Sequence, residues 1–145
     1  MARNDLLFFE DLEPGMSESL MRTVMNNDVI GFAELSGDAN PVHLSEHFAV
    51  KTPFKTRIAH GLFTASLISA VLGTRLPGPG AVYLSQSLHF RAPVRIGDVV
   101  VAMVEVAELM PEKNRVRLTC ECSVDNKVVL DGEAVVMVPR RNALL

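Results

Sequence analysis

The spacing of apolar residues changes near the middle of the chain, from a helical period to an alternating one. In the first half, which reads as loops and short helices, apolar residues at helical spacing follow Asn26-Asn27-Asp28 and stop before Gly37. This predicts a helix between those positions, and Ser45 predicts the cap of a second short turn that reaches Ala49. Residues 61–73 carry no charge and are bounded by glycines. They predict a helix that is apolar on every side and therefore buried all round.

Beyond the Pro-Gly turn at residues 77–80, apolar and polar residues alternate, which predicts β-strands. Residues 82–90 alternate, and residues 99–106 are at first apolar on both faces, as in a strand covered on both sides or placed in an interface. Residues 115–124 alternate strictly, and a last strand puts Val128, Leu130, Ala134, Val136 and Val138 on one face. Four successive strands with short connections predict an antiparallel meander.

One apolar helix and a meander have few ways to pack together. The apolar face of the sheet must cover the helix, and a curved sheet can wrap it. We therefore expect a single α+β domain over residues 1–145, with a central apolar helix wrapped by a curved antiparallel sheet. Unpaired edge strands favour a homodimer that covers them. A hydrophobic fraction of 48% and a mean hydropathy of +0.23 also favour apolar surface covered by a second subunit.

Composition excludes several classes of protein. A formal net charge of −3 argues against nucleic-acid binding and, on this count alone, against an anionic ligand. The first eleven residues lack the apolar run of a secretory signal, and no stretch reaches the ~18 apolar residues of a membrane span. We expect a cytoplasmic protein with no membrane segment. Its two cysteines, Cys120 and Cys122, are then thiols that pack in the core rather than bind a metal.

The sharpest local feature is a carboxylate and an imidazole that flank an Asn-Pro step. Asp38 and His43 are five residues apart, which is not a helical spacing, and Pro41 biases Asn40 away from the helical region. A shaped loop of this kind can turn both side chains toward one water molecule and exchange protons with it near neutral pH. The spacing alone favours an ordinary turn with a structural histidine, so that alternative stays open here.

A second feature is His60-Gly61 at the start of the apolar helix. Unpaired backbone N–H groups there can hold a developing negative oxygen, and glycine permits close approach. His60 itself fits either the helix entry or a site. Three hydroxyl residues follow on the helix, and we expect at least one of Thr64, Ser66 and Ser69 to face a site. No Gly-rich phosphate loop or zinc motif is present, so dinucleotide and metal chemistry are disfavoured.

These residues resemble the (R)-specific enoyl-CoA hydratases of the MaoC-like family. The resemblance rests on the segment Phe32-Ala33-Glu34-Leu35-Ser36-Gly37-Asp38-Ala39-Asn40-Pro41-Val42-His43 and continues through residues 58–61, 76–80, 86–90 and 93–98. It covers nearly the whole chain, in order, and so favours the functional interpretation of the loop. The family has the hot-dog fold, a long helix wrapped by an antiparallel sheet. The resemblance therefore implies this fold, a homodimer, and syn addition of water to a trans-2-enoyl-CoA.

The resemblance also implies roles for single residues. Asp38 and His43 are expected to be the catalytic pair, although the sequence does not assign the base between them. Asn40 is expected to shape the loop, the Gly61 amide to bind the thioester oxygen, and Ser69 to lie near the pair. No cofactor or metal is expected, because coenzyme A is part of the substrate.

The charges are unevenly distributed along the chain. Residues 47–97 contain no acid and carry six basic side chains, which suits the phosphates of coenzyme A or the acidic face of an acyl carrier protein. Some of four candidates, Lys51, Lys55, Arg57 and Arg91, are expected to line the mouth of the acyl site. Three other functions remain open: a 3-hydroxyacyl dehydratase acting on acyl carrier protein, a thioesterase, and a noncatalytic acyl-thioester-binding subunit. Chain-length preference and pathway are not readable from the sequence.

Overall fold

The computed structural model describes residues 6–144, in which six antiparallel strands form one sheet. The strands are β1 (Ser17–Thr23), β2 (Val82–Gln86), β3 (His89–Phe90), β4 (Val99–Met110), β5 (Arg115–Val124) and β6 (Lys127–Met137). Their order is β1-β4-β5-β6-β2, and β3 also pairs with β6. The prediction that the first eleven residues lack a secretory signal falls partly on residues 1–5, which lie outside the described residues.

Three of the four helices lie where the sequence predicts them, and the fourth, α2, is a single turn in the segment expected to be a loop. They are α1 (Asn26–Ser36), α2 (Pro41–Leu44), α3 (Glu46–Ala49) and α4 (Gly61–Thr74), with short 3-10 turns at Phe9–Asp11, Pro111–Lys113 and Arg141–Leu144. The cap predicted for α3 is confirmed, since the Ser45 hydroxyl accepts a hydrogen bond from the Phe48 amide at 3.1 Å. Within residues 6–144, no helix has the length and apolar character that crossing a lipid bilayer requires.

The core forms between α4 and one face of the sheet. The helix packs against β1, β4 and β5, and its residues Ile68 and Val71 are fully buried. From the sheet side, alternate residues of the central strands meet them, among them Val104 and Leu118, both also fully buried. The predicted α+β architecture, a central helix wrapped by an antiparallel sheet, is therefore confirmed.

One face of α4 is not covered, so the expectation that the helix is buried all round is wrong. Leu62 is 60% exposed, and Ser66 and Ser69 are exposed as well. These positions are four and seven residues apart, which places them on one side of a helix. The core packs on the opposite side of the helix, where Phe63, Leu67 and Ile68 are buried.

The strand pattern departs from the prediction at both edges of the sheet. β1 lies in the half of the sequence expected to be loops and helices, and it pairs with β4 alone. Most of its residues are exposed, so it lacks the apolar alternation that marks a half-buried strand. The predicted four-strand meander contains only three neighbouring strands, β4, β5 and β6, because β2 pairs with β6 at the far edge.

Residues 82–90 form two short strands rather than one. The break falls at Ser87 and Leu88, opposite Gly132 of β6, where an added Cβ would lie 1.8 Å from the Ser87 carbonyl oxygen. Only glycine allows the two backbones to approach this closely. The residues expected on the apolar face of segment 82–90 are largely uncovered by the rest of the chain, with Val82 47% and Phe90 55% exposed.

The central strands each bury one face. In β4 the buried residues are Val100, Ala102, Val104 and Val106, so this chain covers one face only, and the alternative of an interface on the other face stays a prediction. In β6 a register shift opposite residues 122 and 123 turns Val128 outward and places Val129 in the core, which corrects one predicted core position.

The alternation predicted for β5 is confirmed, and both cysteines are buried thiols. Burial raises the pKa of Cys120 to about 11 and that of Cys122 to about 12. Both side chains are therefore neutral and unreactive near pH 7.

An ion pair joins the edge of the sheet to the helix that leads into the predicted catalytic loop. Asp28, in the first turn of α1, accepts a hydrogen bond from Arg22 of β1 at 2.6 Å and another from the Met25 amide at 2.9 Å. The Arg22 guanidinium lowers the pKa of the Asp28 carboxyl below its ordinary value. The charged form is thus favoured by folding, and its contribution to stability disappears as the pH falls through the lowered pKa.

We expect Asp28→Asn to reduce the free energy of unfolding at pH 7 by about 0.5–1 kcal/mol, because the amide keeps the cap but loses the ion pair. Urea denaturation measures the change. The matched control is Glu34→Gln, an exposed position on the same helix, where the change should stay within about 0.5 kcal/mol. The difference between the wild type and Asp28→Asn should close as the wild-type carboxyl is protonated, and a gap that persists at about pH 2 would contradict the assignment.

Candidate active site

The loop between α1 and α2 presents Asp38 to the solvent side of the fold. Its shape comes from local hydrogen bonds: the Ser36 hydroxyl accepts from the Asp38 amide at 3.1 Å, and the Asp38 carboxylate accepts from the Asn40 amide at 3.2 Å. The Asn40 side chain then caps α2 by accepting from the Val42 amide at 3.2 Å, and Pro41 occupies the first helical position. Asn40 therefore lies where the sequence places it, as a residue that shapes the loop.

His43 is held at both its side chain and its backbone. The side chain is buried, and Nδ1 lies 2.8 Å from the Ile58 carbonyl oxygen. Since a carbonyl can only accept, the Nδ1 atom of neutral His43 carries the proton, and Nε2 keeps a lone pair that can accept one. The His43 carbonyl in turn accepts a hydrogen bond from Arg57 Nε at 2.6 Å. The imidazole is thus fixed in the tautomer that a general base needs.

Three side chains meet at this point. Asp38, His43 and His60 each bring one carboxylate or imidazole atom within 4.8 Å of the others. One water molecule, with hydrogen bonds of about 2.8 Å, can span two acceptors at that separation.

The same three residues have the donor types of a metal site, but their arrangement suits one poorly. The rings of His43 and His60 are stacked, with centroids 3.9 Å apart and an interplanar angle of 28°, so their in-plane lone pairs run side by side rather than converge. His60 Nε2 also lies 2.9 Å from the backbone carbonyl oxygen of Asp38, to which it donates. The arrangement favours a held water over a bound ion.

A cavity of about 740 Å³ opens beside these residues. Asp38, His43, His60 and Gly61 line it at one side. The rest of its wall is mainly apolar and includes Phe32, Phe54, Ile58, Phe90, Val94 and Leu130. A mainly apolar space with a few polar groups at one end fits a small ligand that has an apolar chain and one reactive polar group.

Gly61 begins α4 at the edge of this cavity, as the sequence predicts. The amide N–H groups of a first helical turn lack acceptors inside the helix, and the helix dipole adds positive potential there. A Cβ at this position would lie 2.6 Å from an atom of the Phe90 ring, so glycine lets the aromatic side chain approach the helix start. The site therefore offers an amide donor next to an Asp/His pair.

The three hydroxyl residues of α4 separate into two groups. Thr64 lines the large cavity, and its buried hydroxyl has no hydrogen-bond partner within residues 6–144. Ser66 and Ser69 line a different cavity of about 380 Å³ between α4 and β2. The structure thus does not bring Ser69 to the cavity that Asp38 and His43 share, and a role for it near the pair stays a prediction.

The four basic residues expected at the mouth of the site also separate. Arg91 lines the large cavity and pairs with Asp131 at 3.2 Å. Arg57 holds the His43 carbonyl and lines another cavity, behind the loop. Lys51 and Lys55 are exposed and line neither cavity, and Lys51 Nζ lies 3.4 Å from His47 Nε2. Of the four, Arg91 alone therefore lines the cavity that Asp38 and His43 share, whereas Arg57 contacts the backbone of His43 from another side.

His60 is the functional candidate that reasoning from the sequence underrated. Its place in Ile58-Ala59-His60-Gly61 identified it as part of the family pattern, but one histidine before a helix gives no sign of which way its ring turns. In the structure the ring is 2% exposed and lies between Phe32 and His43, with centroids 4.8 Å and 3.9 Å away. That position follows from tertiary packing, which the local sequence does not encode.

A central helix wrapped by an antiparallel sheet, with an Asp/His pair at the helix entrance, defines a hot-dog enzyme of the hydratase and dehydratase class. Residues 11–129 match the family described as the MaoC like domain, and the chain belongs to this family.

Relatives and solved structures agree. The chain is 68% identical to a 3-hydroxybutyryl-CoA dehydratase of Methylorubrum extorquens over 94% of this chain and 87% of that protein. It is 56% identical to an (R)-specific enoyl-CoA hydratase of Rhodospirillum rubrum over 97% of this chain and 99% of that protein. The solved (R)-hydratase of Aeromonas caviae, involved in PHA biosynthesis, superposes with a TM-score of 0.88 at 43% identity, covering 90% of this chain and 99% of that one.

We expect nuclear magnetic resonance of ¹⁵N-histidine-labelled protein to find neutral His43 protonated at Nδ1 and neutral His60 protonated at Nε2, since each of these atoms faces a carbonyl oxygen. The exposed His47 and His89 provide internal references outside the cavity. A His43 protonated at Nε2 would contradict its assignment as a proton acceptor on the cavity side.

Proposed function

We propose that this protein catalyses the reversible hydration of trans-2-enoyl-CoA to (R)-3-hydroxyacyl-CoA. The observation that carries the proposal is the meeting of the Asp38 carboxylate and the His43 imidazole, whose Nδ1 is held by the Ile58 carbonyl, on the wall of a mainly apolar cavity that Gly61 of α4 also lines. The names of the two relatives describe opposite directions of this one reaction, which supports the same chemistry here.

The chemistry requires two kinds of groups. Water attacks C3 of the enoyl thioester while negative charge develops on the carbonyl oxygen. The Gly61 amide is the donor for that oxygen, and one such donor is worth about 10²–10³-fold in rate. Asp38 and His43 hold the attacking water, take one proton from it, and return one proton to C2 on the same face. The pair ends unchanged, and addition is syn.

The apolar wall of the large cavity suits the acyl chain of the substrate, and a basic side chain suits the phosphates of its coenzyme A. Of the six basic residues between positions 47 and 97, three have backbone carbonyls as partners: Arg57 with His43, Arg75 with Ser19, and Arg95 with Phe54. They have fixed structural contacts, so the basic stretch is less available to phosphates than its sequence indicates. Arg91 is the cation that we assign to the carrier, with the exposed Lys51 and Lys55 as further candidates.

We also propose a cytoplasmic homodimer that covers the exposed face of α4 and the edge strand β2. Leu62, Tyr83 and Leu84 are 60%, 42% and 41% exposed, which is unusual for large apolar side chains grouped on one side of a molecule. By analogy with the A. caviae protein, supply of hydroxyacyl-CoA for polyester synthesis is the use that we propose for the product.

Asp38→Asn is expected to lower kcat for crotonyl-CoA hydration by about 10²–10⁴-fold, because the amide cannot share in the proton transfer. Loss of enoyl-thioester absorbance in the ultraviolet measures the rate. Asp125→Asn makes the same chemical change in an exposed turn and should leave the rate unaltered. Circular dichroism should find both variants folded.

Two results would count against the hydratase. Release of free thiol from the substrate would identify a thioesterase, and a folded wild-type protein that binds crotonyl-CoA without turnover would identify a binding subunit. A higher kcat/KM with crotonyl-acyl carrier protein than with crotonyl-CoA would favour the dehydratase of acyl carrier protein.

Arg91→Gln is expected to raise KM for crotonyl-CoA by about fivefold at low ionic strength, the equivalent of about 1 kcal/mol, with kcat little changed. The increase in KM should shrink as salt is added, because the Arg91 side chain is 55% exposed and its charge is screened. Lys127→Gln removes an exposed charge from the first position of β6 and provides the control. An unchanged KM for Arg91→Gln would remove Arg91 from the carrier site.

A further inference from the structure

His60 is a buried imidazole to which the proposed reaction gives no task. It is 2% exposed, and one nitrogen, Nε2, lies 2.9 Å from the backbone carbonyl oxygen of Asp38. The two residues are 22 positions apart in the chain, so this contact joins separate segments of the fold. Because a carbonyl oxygen only accepts, Nε2 is the donor.

The loop that carries Asp38 has few other links to the fold. The hydrogen bonds of residues 37–40 otherwise run to neighbours within residues 33–43, such as those of Asp38 with Ser36 and Asn40. Within residues 6–144, the bond from His60 is the one hydrogen bond that connects residues 37–40 to a distant part of the chain. Local bonds set the shape of the loop, and this bond sets its place.

His43 does not depend on the same contact. Its Nδ1 donates to the Ile58 carbonyl, and its own carbonyl accepts from Arg57. The His60 ring stacks on it at 3.9 Å, but two hydrogen bonds already fix its orientation. Loss of the His60 donor therefore moves Asp38 relative to His43, rather than both together.

We infer that His60 is a positioning residue, which fixes the distance between Asp38 and His43 by holding the Asp38 carbonyl to the entrance of α4. The same residue directly precedes Gly61, so the proposed amide donor and the loop share one anchor. The inference rests on the proposed function for its kinetic consequence, while the tether itself is a statement about structure alone.

Three variants separate the hydrogen bond from the packing. His60→Phe keeps a ring between Phe32 and His43 but removes the donor. His60→Gln places an amide nitrogen near the position of Nε2 and restores the donor. His60→Asn is one methylene shorter and does not reach the carbonyl. If His60→Phe fails to fold, comparison of His60→Gln with His60→Asn still tests the hydrogen bond. The two side chains carry the same amide group and differ only in length.

We expect kcat for crotonyl-CoA to fall about 10–100-fold in His60→Phe and His60→Asn, with KM within about twofold of the wild type, because a displacement near 1 Å can cost about 10²-fold in rate. His60→Gln should recover kcat to within about fivefold. Val29→Ala, a core change on α1 away from the cavity, is the control for lost stability and should keep kcat.

A second measurement is independent of activity. Backbone ¹⁵N relaxation should show increased motion at Ala39 and Asn40 in His60→Phe and His60→Asn, and wild-type order in His60→Gln. Unchanged order at these residues in both donor-free variants, or a kcat within about twofold of the wild type, would overturn the inference. A wild-type protein without hydratase activity would overturn the proposed function, and the relaxation result would still decide the tether.

Discussion

Burial of α4 against one face of the sheet is the constraint on which the rest of the structure depends. The helix has no charged side chain, and Ile68, Val71 and Leu72 are almost wholly removed from water. Each such side chain contributes about 1.5–3 kcal/mol when fully buried, so the helix cannot leave the sheet without loss of the fold. Its first turn is thereby fixed in space. Gly61 and His60, which lie there, become the reference points for the loop that carries Asp38.

The sequence was informative wherever one physical period dominated. The uncharged run of α4 and the strict alternation of β5 predicted the helix and the strand. The spacing of Asp38 and His43 left two interpretations open, and the family resemblance predicted the pair. The sequence was uninformative where contacts with distant segments determine the position of a strand or the orientation of a side chain. β1 is mostly exposed and has no clear alternation. The split of residues 82–90 depends on the close approach of β6, and the inward turn of the His60 ring depends on Phe32 and His43.

The basic stretch of residues 47–97 is a second case in which the sequence and the structure differ. The acid-free stretch of residues 47–97 has the sequence of a cationic surface, yet Arg57, Arg75 and Arg95 each donate to a backbone carbonyl. Guanidinium groups have several donors in a fixed plane, which makes arginine well suited to connect loops that lack regular hydrogen bonding. In this fold, part of the positive charge of the stretch therefore serves the scaffold.

Arg57 combines a structural contact and a positive charge in one side chain. Its guanidinium holds the carbonyl of the residue that carries the proposed base, 2.6 Å away. Substitution of Arg57 would alter the charge near the cavity and the setting of His43 in one step. An Arg57 variant made to measure the attraction of a phosphate would therefore also change the geometry of proton transfer. A loss of turnover in that variant would report on this geometry.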